Sequence, residues 1–233
     1  GIQGKCISVA AGQHHTVVVL ADGALRAFGR NDDGQCTVPA DVHRGNCIGA
    51  AAGDHHTVAV LKDGTLRAFG NGVFGQCNIP ADAQGNCISV VAGSRHTVAV
   101  LRDGTLRAFG SNDDGQCTVP PDVQGNCVAI AAGLCHTAAV LKDGTLRAFG
   151  RNDYGQCNVP EDVQGNCISA AAGNNRTVAF LKDGTLRTFG KEGDQCNFPA
   201  DVHFQFLSVA AMAGLLPIRT VSSRDFTFEK LPY

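Results

Sequence analysis

Cysteine is the residue whose abundance and spacing most strongly suggest chemistry in this chain. Eleven of the 233 residues are cysteine, and ten of them recur about every 40 residues in two columns. The first column consists of Cys6, Cys47, Cys87, Cys127 and Cys167, and the second of Cys36, Cys77, Cys117, Cys157 and Cys196. Thiols can form disulfides, bind zinc or pack as small apolar groups. No two of them have the short spacing of a zinc site, so we expect disulfides and no metal.

Two disulfide connectivities fit these columns. Pairing within a repeat would join Cys6 to Cys36 and would leave no cysteine of the columns unpaired. Pairing across the proline-containing linker would join Cys36 to Cys47, Cys77 to Cys87, Cys117 to Cys127 and Cys157 to Cys167. In a four-stranded unit the first and last strands lie about three spacings of ~4.8 Å apart, beyond the ~6.8 Å Cα separation that a disulfide allows, so we favour linker pairing. We then expect Cys135 to be free, and an oxidising compartment, either extracellular or an organelle lumen such as the thylakoid lumen.

Three further columns consist of residues that could bind a metal or an anion. Histidine recurs at His15, His56, His96 and His136, with Arg176 in the fifth position. Arginine recurs at Arg26, Arg67, Arg107, Arg147 and Arg187, and aspartate at Asp41, Asp82, Asp122, Asp162 and Asp201. Metal ligands must converge to ~2.0–2.1 Å, which side chains one repeat apart rarely do, so we expect each histidine to hold its loop through backbone groups. We expect each arginine to join its strand to a linker aspartate rather than to form a basic rim for an anionic partner.

The remaining composition argues against catalysis and against nucleic acid. No nucleophile lies beside a suitable base and no glycine-rich loop has the context of a phosphate site, so we expect no catalytic residue and no cofactor. The net charge of −2 is not that of a nucleic-acid-binding surface. No apolar run reaches the ~20 residues of a membrane span, and peripheral attachment to a membrane complex stays open. The chain starts at Gly1, so we expect a processed form or a piece of a longer protein.

The elements that position these columns come from one repeated unit. Asp-Gly pairs that end at Gly23, Gly64, Gly104, Gly144 and Gly184 recur every 40 or 41 residues. Each pair lies between apolar runs and predicts a type I′ hairpin turn. In the second unit the predicted hairpin arms are residues 57–61 and 65–69, with further short strands at 47–52 and 77–79. Four short strands in a unit of about 40 residues predict an all-β propeller, with small residues such as Ala51 near its crowded axis.

The whole chain, residues 1–233, is predicted to form one β-propeller domain. Five complete units span residues 6–46, 47–86, 87–126, 127–166 and 167–205, and residues 206–233 are a degenerate sixth unit. Residues 207–211 and 219–221 still resemble residues 168–172 and 176–178 of the fifth unit. We expect a ring of six blades, and five blades with a packed tail are the alternative.

The motifs of this unit resemble those of the regulator of chromosome condensation (RCC1) repeat family. The shared motifs are Ala-Ala-Gly-x-x-His-Thr, Asp-Gly-Thr-Leu-x-Ala-Phe-Gly and Asn-x-x-Gly-Gln. The short, cysteine-containing variant with Gly-Gln-Cys-x-Val-Pro is similar to arrays of dinoflagellate algae. The family's usual tryptophan is replaced by phenylalanine at Phe28, Phe69, Phe109, Phe149 and Phe189. The resemblance implies an RCC1-like propeller that docks on other proteins, and a few members promote nucleotide exchange on small GTPases.

Positions that vary between units are where a partner would be recognised, because repeat loops gather at the ends of a propeller. We select His14, His55, Val73, Phe74, Arg95, Leu134 and Tyr154 as candidate partner-binding residues. We therefore expect a non-catalytic protein-interaction propeller that serves as an accessory or stabilising subunit of a larger assembly. The algal resemblance suggests a chloroplast complex of photosynthesis, such as a photosystem. A guanine-nucleotide exchange factor of the RCC1 type is the alternative function.

Overall fold

The computed structural model describes residues 3–42 and 45–191, which form five antiparallel sheets of three strands each. We call these sheets blades 1 to 5 in chain order. Blade 1 consists of β1 (Cys6–Ala11), β2 (His15–Leu20) and β3 (Leu25–Gly29), and blade 2 of β4 (Cys47–Ala52), β5 (His56–Leu61) and β6 (Leu66–Gly70). Blade 3 consists of β7 (Cys87–Ala92), β8 (His96–Leu101) and β9 (Leu106–Gly110), and blade 4 of β10 (Cys127–Ala132), β11 (His136–Leu141) and β12 (Leu146–Gly150). Blade 5 consists of β13 (Cys167–Ala172), β14 (Arg176–Leu181) and β15 (Leu186–Gly190).

Helical structure in the described residues is confined to single turns of 3₁₀ helix in the linkers. These turns are Ala81–Ala83, Pro121–Val123 and Glu161–Val163. None of the described helices is long and apolar enough to cross a bilayer. The predicted all-β class is confirmed, and the five repeated sheets have the character of propeller blades.

The predicted hairpins are present, but their turns are of a different type. In blade 2 the Gly64 N–H donates to the Leu61 carbonyl and the Leu61 N–H to the Thr65 carbonyl, both at 2.9 Å. Gly64 has a φ of +83°, whereas no described residue other than glycine has a positive φ. A type I′ turn would require a positive φ at Asp63 as well, so the connection is a three-residue loop with glycine in the left-handed region. Asp63 stabilises it differently, because its Oδ1 accepts a 2.9 Å hydrogen bond from the Thr65 N–H.

The fourth predicted strand is not formed in the described blades. Residues 77–79 of blade 2 instead form turns, in which the Asn78 N–H donates to the Gly75 carbonyl (2.9 Å) and the Ile79 N–H to the Cys77 carbonyl (3.1 Å). These local hydrogen bonds replace a ladder with β6. Ile79 packs against the apolar cluster between blades 2 and 3. The linker therefore covers the core instead of extending the sheet.

The hydrophobic core lies between blades, because one three-stranded sheet cannot cover its own two faces. Between blades 1 and 2, Val17 and Leu25 of blade 1 pack with Ala59 and Leu61 of blade 2. Val42 of the linker is fully buried in the same cluster. Equivalent clusters lie between the later neighbours. We call the side of a blade towards its successor the forward face and the other side the back face.

The ends of the first strands surround a shared central cavity of about 210 Å³. Alanine and glycine from all five blades make up most of its lining. The blades approach one another closely there: a Cβ built on Gly53 would lie 2.5 Å from the Gly93 carbonyl oxygen. The prediction that small residues such as Ala51 lie at a crowded axis is confirmed.

The last blade differs from the others at this axis. Gly12, Gly53, Gly93 and Gly133 each lie against the carbonyl of the corresponding glycine in the following blade. No described residue lies within 4 Å of a Cβ built on Gly173 of blade 5. The five blades therefore form a curved array. Blade 5 does not contact blade 1 in the way that blades 1 to 4 contact their successors. The degenerate unit at 206–233, on which the choice between six blades and five depends, lies outside the described residues.

Candidate functional site

Each described boundary between blades is joined by a buried histidine. The His56 Nε2 lies 2.9 Å from the Thr97 Oγ1 of the next blade, and that hydroxyl donates to the Gln76 carbonyl at 2.9 Å. Because the hydroxyl proton is used there, the histidine Nε2 is the donor and its Nδ1 is unprotonated. The same arrangement joins His15 to Thr57, His96 to Thr137 and His136 to Thr177. The predicted structural role is confirmed, although the partner is a threonine hydroxyl of the next blade rather than a backbone group.

Burial keeps these imidazoles neutral. Loss of hydration lowers the pKa of His56 to about 3 and the pKa values of His96 and His136 to about 4. Burial also lowers the pKa of His15, and the nearby His55 contributes in the same direction. Within the two described stretches, no group of three His, Cys, Asp or Glu side chains is placed to hold a metal ion. The histidine column connects blades through its hydrogen bonds to threonine.

The arginine and aspartate columns join each linker to the blade that follows it, as predicted. The Arg67 Nε lies 2.5 Å from the Asp41 Oδ2. The equivalent pairs are Arg107 with Asp82 at 2.6 Å, Arg147 with Asp122 at 2.7 Å and Arg187 with Asp162 at 2.6 Å. Asp41 has a lowered pKa, chiefly because its carboxylate accepts the Arg67 hydrogen bond. These partly exposed pairs set orientation more than they add stability, since such ion pairs contribute only about 0–1 kcal/mol.

The predicted disulfides are not present: each of the ten described cysteines is a free thiol. The pairs concerned are Cys36 with Cys47, Cys77 with Cys87, Cys117 with Cys127 and Cys157 with Cys167. The reason is the course of the linker. Cys47 begins its strand beside the hairpin turn, where its N–H donates to the Gly23 carbonyl at 3.0 Å. Cys36 lies beyond the other end of β3, where its Sγ donates to the Arg30 carbonyl at 3.2 Å.

The length of a strand therefore separates the two cysteine columns. Five residues of β3 span roughly 13 Å at ~3.3 Å per residue, about twice the Cα separation of a disulfide. Pairing within a unit meets the same obstacle, because Cys6 is opposite Leu20 at the hairpin end of blade 1. Burial raises the pKa of Cys47 and Cys87 to about 11, so these thiols are neutral and pack as small apolar groups. The expectation of an oxidising compartment depended on these disulfides, so the free thiols do not support it.

The variable loops gather at one end of the blades, which we call the loop face. It consists of residues 13–14, 54–55, 94–95, 134–135 and 174–175 together with 30–35, 71–76, 111–116 and 151–156. The two kinds of loop are held together by backbone hydrogen bonds, such as the 2.8 Å bond from the Asn71 N–H to the His55 carbonyl. A column of buried glutamines that was not predicted from the sequence fixes the second kind of loop. The Gln76 Oε1 accepts a 3.0 Å bond from the Phe74 N–H, and the repeated Gly-Gln pair was its visible signal.

The loop face brings three of the predicted partner-binding residues together across a blade boundary. Val73 is 82% exposed and Phe74 is 41% exposed. The Arg95 guanidinium of blade 3 lies over the Phe74 ring of blade 2, 4.5 Å from its centre. We call Val73, Phe74 and Arg95 the aromatic–arginine cluster. The geometry is that of a cation–π contact, which holds the guanidinium over the exposed Phe74 ring.

The other predicted partner-binding residues are not part of this cluster. His14 is exposed in blade 1. The His55 Nδ1 lies 3.0 Å from the Asp33 Oδ2 of blade 1, so this side chain joins two blades. Leu134 is half-buried and lines the central cavity. Tyr154 is exposed, with the Lys191 ammonium 5.3 Å from the centre of its ring.

The blades match a known family model. The model for the Regulator of chromosome condensation (RCC1) repeat matches residues 6–35, 48–76, 87–116 and 127–156, just over half of the chain. Each matched segment covers the three strands of one blade, apart from Cys47 in blade 2, and ends at the loop glutamine. Among curated proteins, no sequence matches this chain.

Solved structures share the fold at low sequence identity. Human WBSCR16 is 18% identical over 82% of this chain and 63% of its own, with a TM-score of 0.70. Prp20p of Saccharomyces cerevisiae, described with its binding to Gsp1p and histones, is 22% identical over 97% of this chain and 67% of its own, with a TM-score of 0.67. The CRINKLY WD40 ectodomain of the Arabidopsis thaliana receptor kinase ACR4 is 18% identical over 81% of this chain, with a TM-score of 0.65. The chain thus spans less than two thirds of WBSCR16, and these likenesses concern the fold alone.

Proposed function

Because this chain belongs to the family of regulator of chromosome condensation (RCC1) repeats, we propose that it is a non-catalytic propeller that binds other proteins through its loop face. The structures of Prp20p are described with its binding to Gsp1p and histones and with Kap60 bound to it. These partners of a structural relative support a protein-binding role. We propose that this chain is an accessory or stabilising subunit of a larger protein assembly.

The aromatic–arginine cluster is the observation that carries this proposal. Val73 occupies the position that is aspartate in three other blades, namely Asp32, Asp113 and Asp153. The fold therefore accepts a charged residue there and has no need of an apolar one. Exposed aromatic and arginine side chains that lie together are the common centres of binding energy in protein interfaces. The cluster combines both types with an aliphatic neighbour.

A single substitution tests this role. Val73→Asp restores the residue of the other blades, so we expect folding to be unchanged. Burial of a valine side chain in an interface contributes ~1.5–3 kcal/mol, so partner recovery with the variant should fall by at least about tenfold. The measurement is recovery of co-purifying proteins from an extract of the source cells, with quantification by mass spectrometry.

The matched control lies at the opposite end of blade 4. Lys142 precedes the Asp143-Gly144 turn, and its Nζ donates to the Gly125 carbonyl at 2.9 Å. Lys142→Ala should leave recovery of the same proteins unchanged. Equal recovery with Val73→Asp and the unaltered chain would contradict the proposed binding face.

Nucleotide exchange on a small GTPase is the second candidate function. The likeness to Prp20p, which is described with its binding to Gsp1p, supports it. The assay follows release of labelled GDP from a Ran-like GTPase with and without this chain. Clear acceleration would replace the accessory-subunit proposal, and an unchanged rate would dismiss the exchange-factor candidate.

The proposed setting in a chloroplast assembly such as a photosystem derives from the sequence resemblance to algal arrays. Co-purification tests it directly, because photosystem subunits would be recovered with the unaltered chain and lost with Val73→Asp. Recovery of unrelated proteins alone would refute this setting while leaving the binding face in place.

A further inference from the structure

The back face of blade 1 exposes first-strand residues whose counterparts are buried in every later blade. Cys6 is exposed, whereas its counterparts Cys47, Cys87, Cys127 and Cys167 are at most 4% exposed. Val9 is 44% exposed, and its counterparts Ala50, Val90, Ile130 and Ala170 are at most 2% exposed. Phe28 is 47% exposed, whereas Phe109 is 8% exposed and Phe69, Phe149 and Phe189 are half-buried. In blades 2 to 5 the first-strand residues at these positions pack against the preceding blade.

Polar side chains of this face also lack, among the described residues, the partners that their counterparts have in later blades. Arg26 donates only to the Leu25 carbonyl at 3.2 Å and has no carboxylate partner among the described residues. The corresponding arginines of blades 2 to 5 each bind an aspartate of the preceding linker. Thr16 is half-buried and has no imidazole partner in residues 3–42 or 45–191, whereas Thr57 and Thr97 each have one. We call Cys6, Val9, Thr16, Arg26 and Phe28 the open face.

We propose that the open face is the docking site of residues 204–233 of the same chain, which act as the blade that precedes blade 1 in a closed ring. The length of the segment fits this role. A described blade uses 24 residues, from Cys47 to Gly70 in blade 2, and the tail has 30 residues after position 203. The tail also follows blade 5 in the chain, as each described blade follows the one before it.

The sequence of the tail supplies the type of surface that the open face requires. Residues 207–211 and 219–221 correspond to the first two strands of a unit. Val221 has the position of Val17, which packs on the following blade in the core between blades 1 and 2. Apolar residues that match the first two strands of the other units in sequence favour this segment of the chain over a partner of unrelated structure.

Cys6 is a built-in reporter of whether the open face is covered. Native protein is treated with N-ethylmaleimide, and the modification of each cysteine is followed by peptide mass spectrometry. If the tail covers the face, Cys6 in the full chain reacts at least about tenfold more slowly than Cys6 in a chain truncated after residue 203, because a covered thiol reacts only after local opening. Cys47, buried between blades 1 and 2, should react slowly in both chains and shows that the truncated protein is folded.

A point variant of the full chain tests the proposal without truncation. Val9→Glu places a charge on the open face, away from the cores between described blades. It should make Cys6 reactive and lower the thermal midpoint if the tail docks there, and should change neither if the face is bare.

Two results would overturn the proposal. One is fast labelling of Cys6 in the unaltered chain at every protein concentration. The other is protection that appears only as the concentration rises, since this would identify a second copy of the chain as the occupant. Because the assay uses only the isolated protein, its outcome is independent of the proposed partner-binding role.

Discussion

Mild acid should destabilise this protein through the histidines that join its blades. An unfolded histidine has a pKa near 6.5, and folding lowers the pKa values of His56, His96 and His136 to about 3, 4 and 4. A folded pKa below the unfolded value means that the stabilisation is fully present above pH ~6.5 and is lost as pH falls towards the folded values. Between the folded and unfolded pKa values, each imidazole binds a proton in the unfolded chain but not in the folded protein.

The magnitude follows from proton linkage. Each such histidine decreases the free energy of unfolding by about 1.4 kcal/mol when pH falls from roughly 7.5 to 5.5. Three of them give a loss of about 4 kcal/mol, and His15 adds to it in the same direction. The loss in this range depends only on the folded pKa values being well below 5. Carboxylates such as Asp41, whose pKa is lowered by Arg67, lose their contribution at lower pH.

Two variants separate linkage from hydrogen bonding. His96→Gln can still donate to Thr137 but binds no proton, so it should remove about one third of the pH dependence that the three most buried histidines produce. Thr137→Val removes the hydrogen bond and leaves the imidazole, so it should lower stability by ~1–3 kcal/mol at every pH without flattening the profile. The measurement is urea unfolding followed by far-ultraviolet circular dichroism at about pH 7.5, 6.5 and 5.5. A wild-type free energy of unfolding that is flat over this range, or a His96→Gln profile as steep as the wild type, would refute the reasoning.

Three further outcomes are expected. Gly53→Ala should lower the free energy of unfolding by more than about 2 kcal/mol in a urea titration, because its Cβ would lie 2.5 Å from the Gly93 carbonyl oxygen. Gly173→Ala should change the free energy far less, because no described residue lies within 4 Å of its Cβ. A double-mutant cycle on Arg107 and Asp82, each changed to alanine, should give a coupling of at most about 1 kcal/mol that weakens with salt, and a larger coupling would show that the pair is better shielded than its exposure indicates. A reductant should leave the thermal midpoint unchanged, since the ten described cysteines are free thiols, and a marked decrease would restore the case for disulfides.

The sequence alone determined the repeated unit and the pairs of residue types that recur with it. Asp63-Gly64 between two apolar runs was sufficient to predict a hairpin, because the left-handed region is open to glycine at little cost. The alanines at the axis followed from crowding where five blades meet. The Arg67–Asp41 bond was foreseen because two columns of opposite charge with one period stay in register at every boundary. These features depend on local conformational preference and periodicity, both of which are visible in one chain.

Only the tertiary structure decided which residues meet across blades. Cys36 and Cys47 are eleven residues apart, yet they lie at opposite ends of a blade because the linker runs back along the blade to cover its core. His56 and Thr97 are 41 residues apart and lie within 2.9 Å of one another. The course of a linker and the partner of a buried imidazole are set by how two sheets pack, and the residues of one repeat do not contain that information.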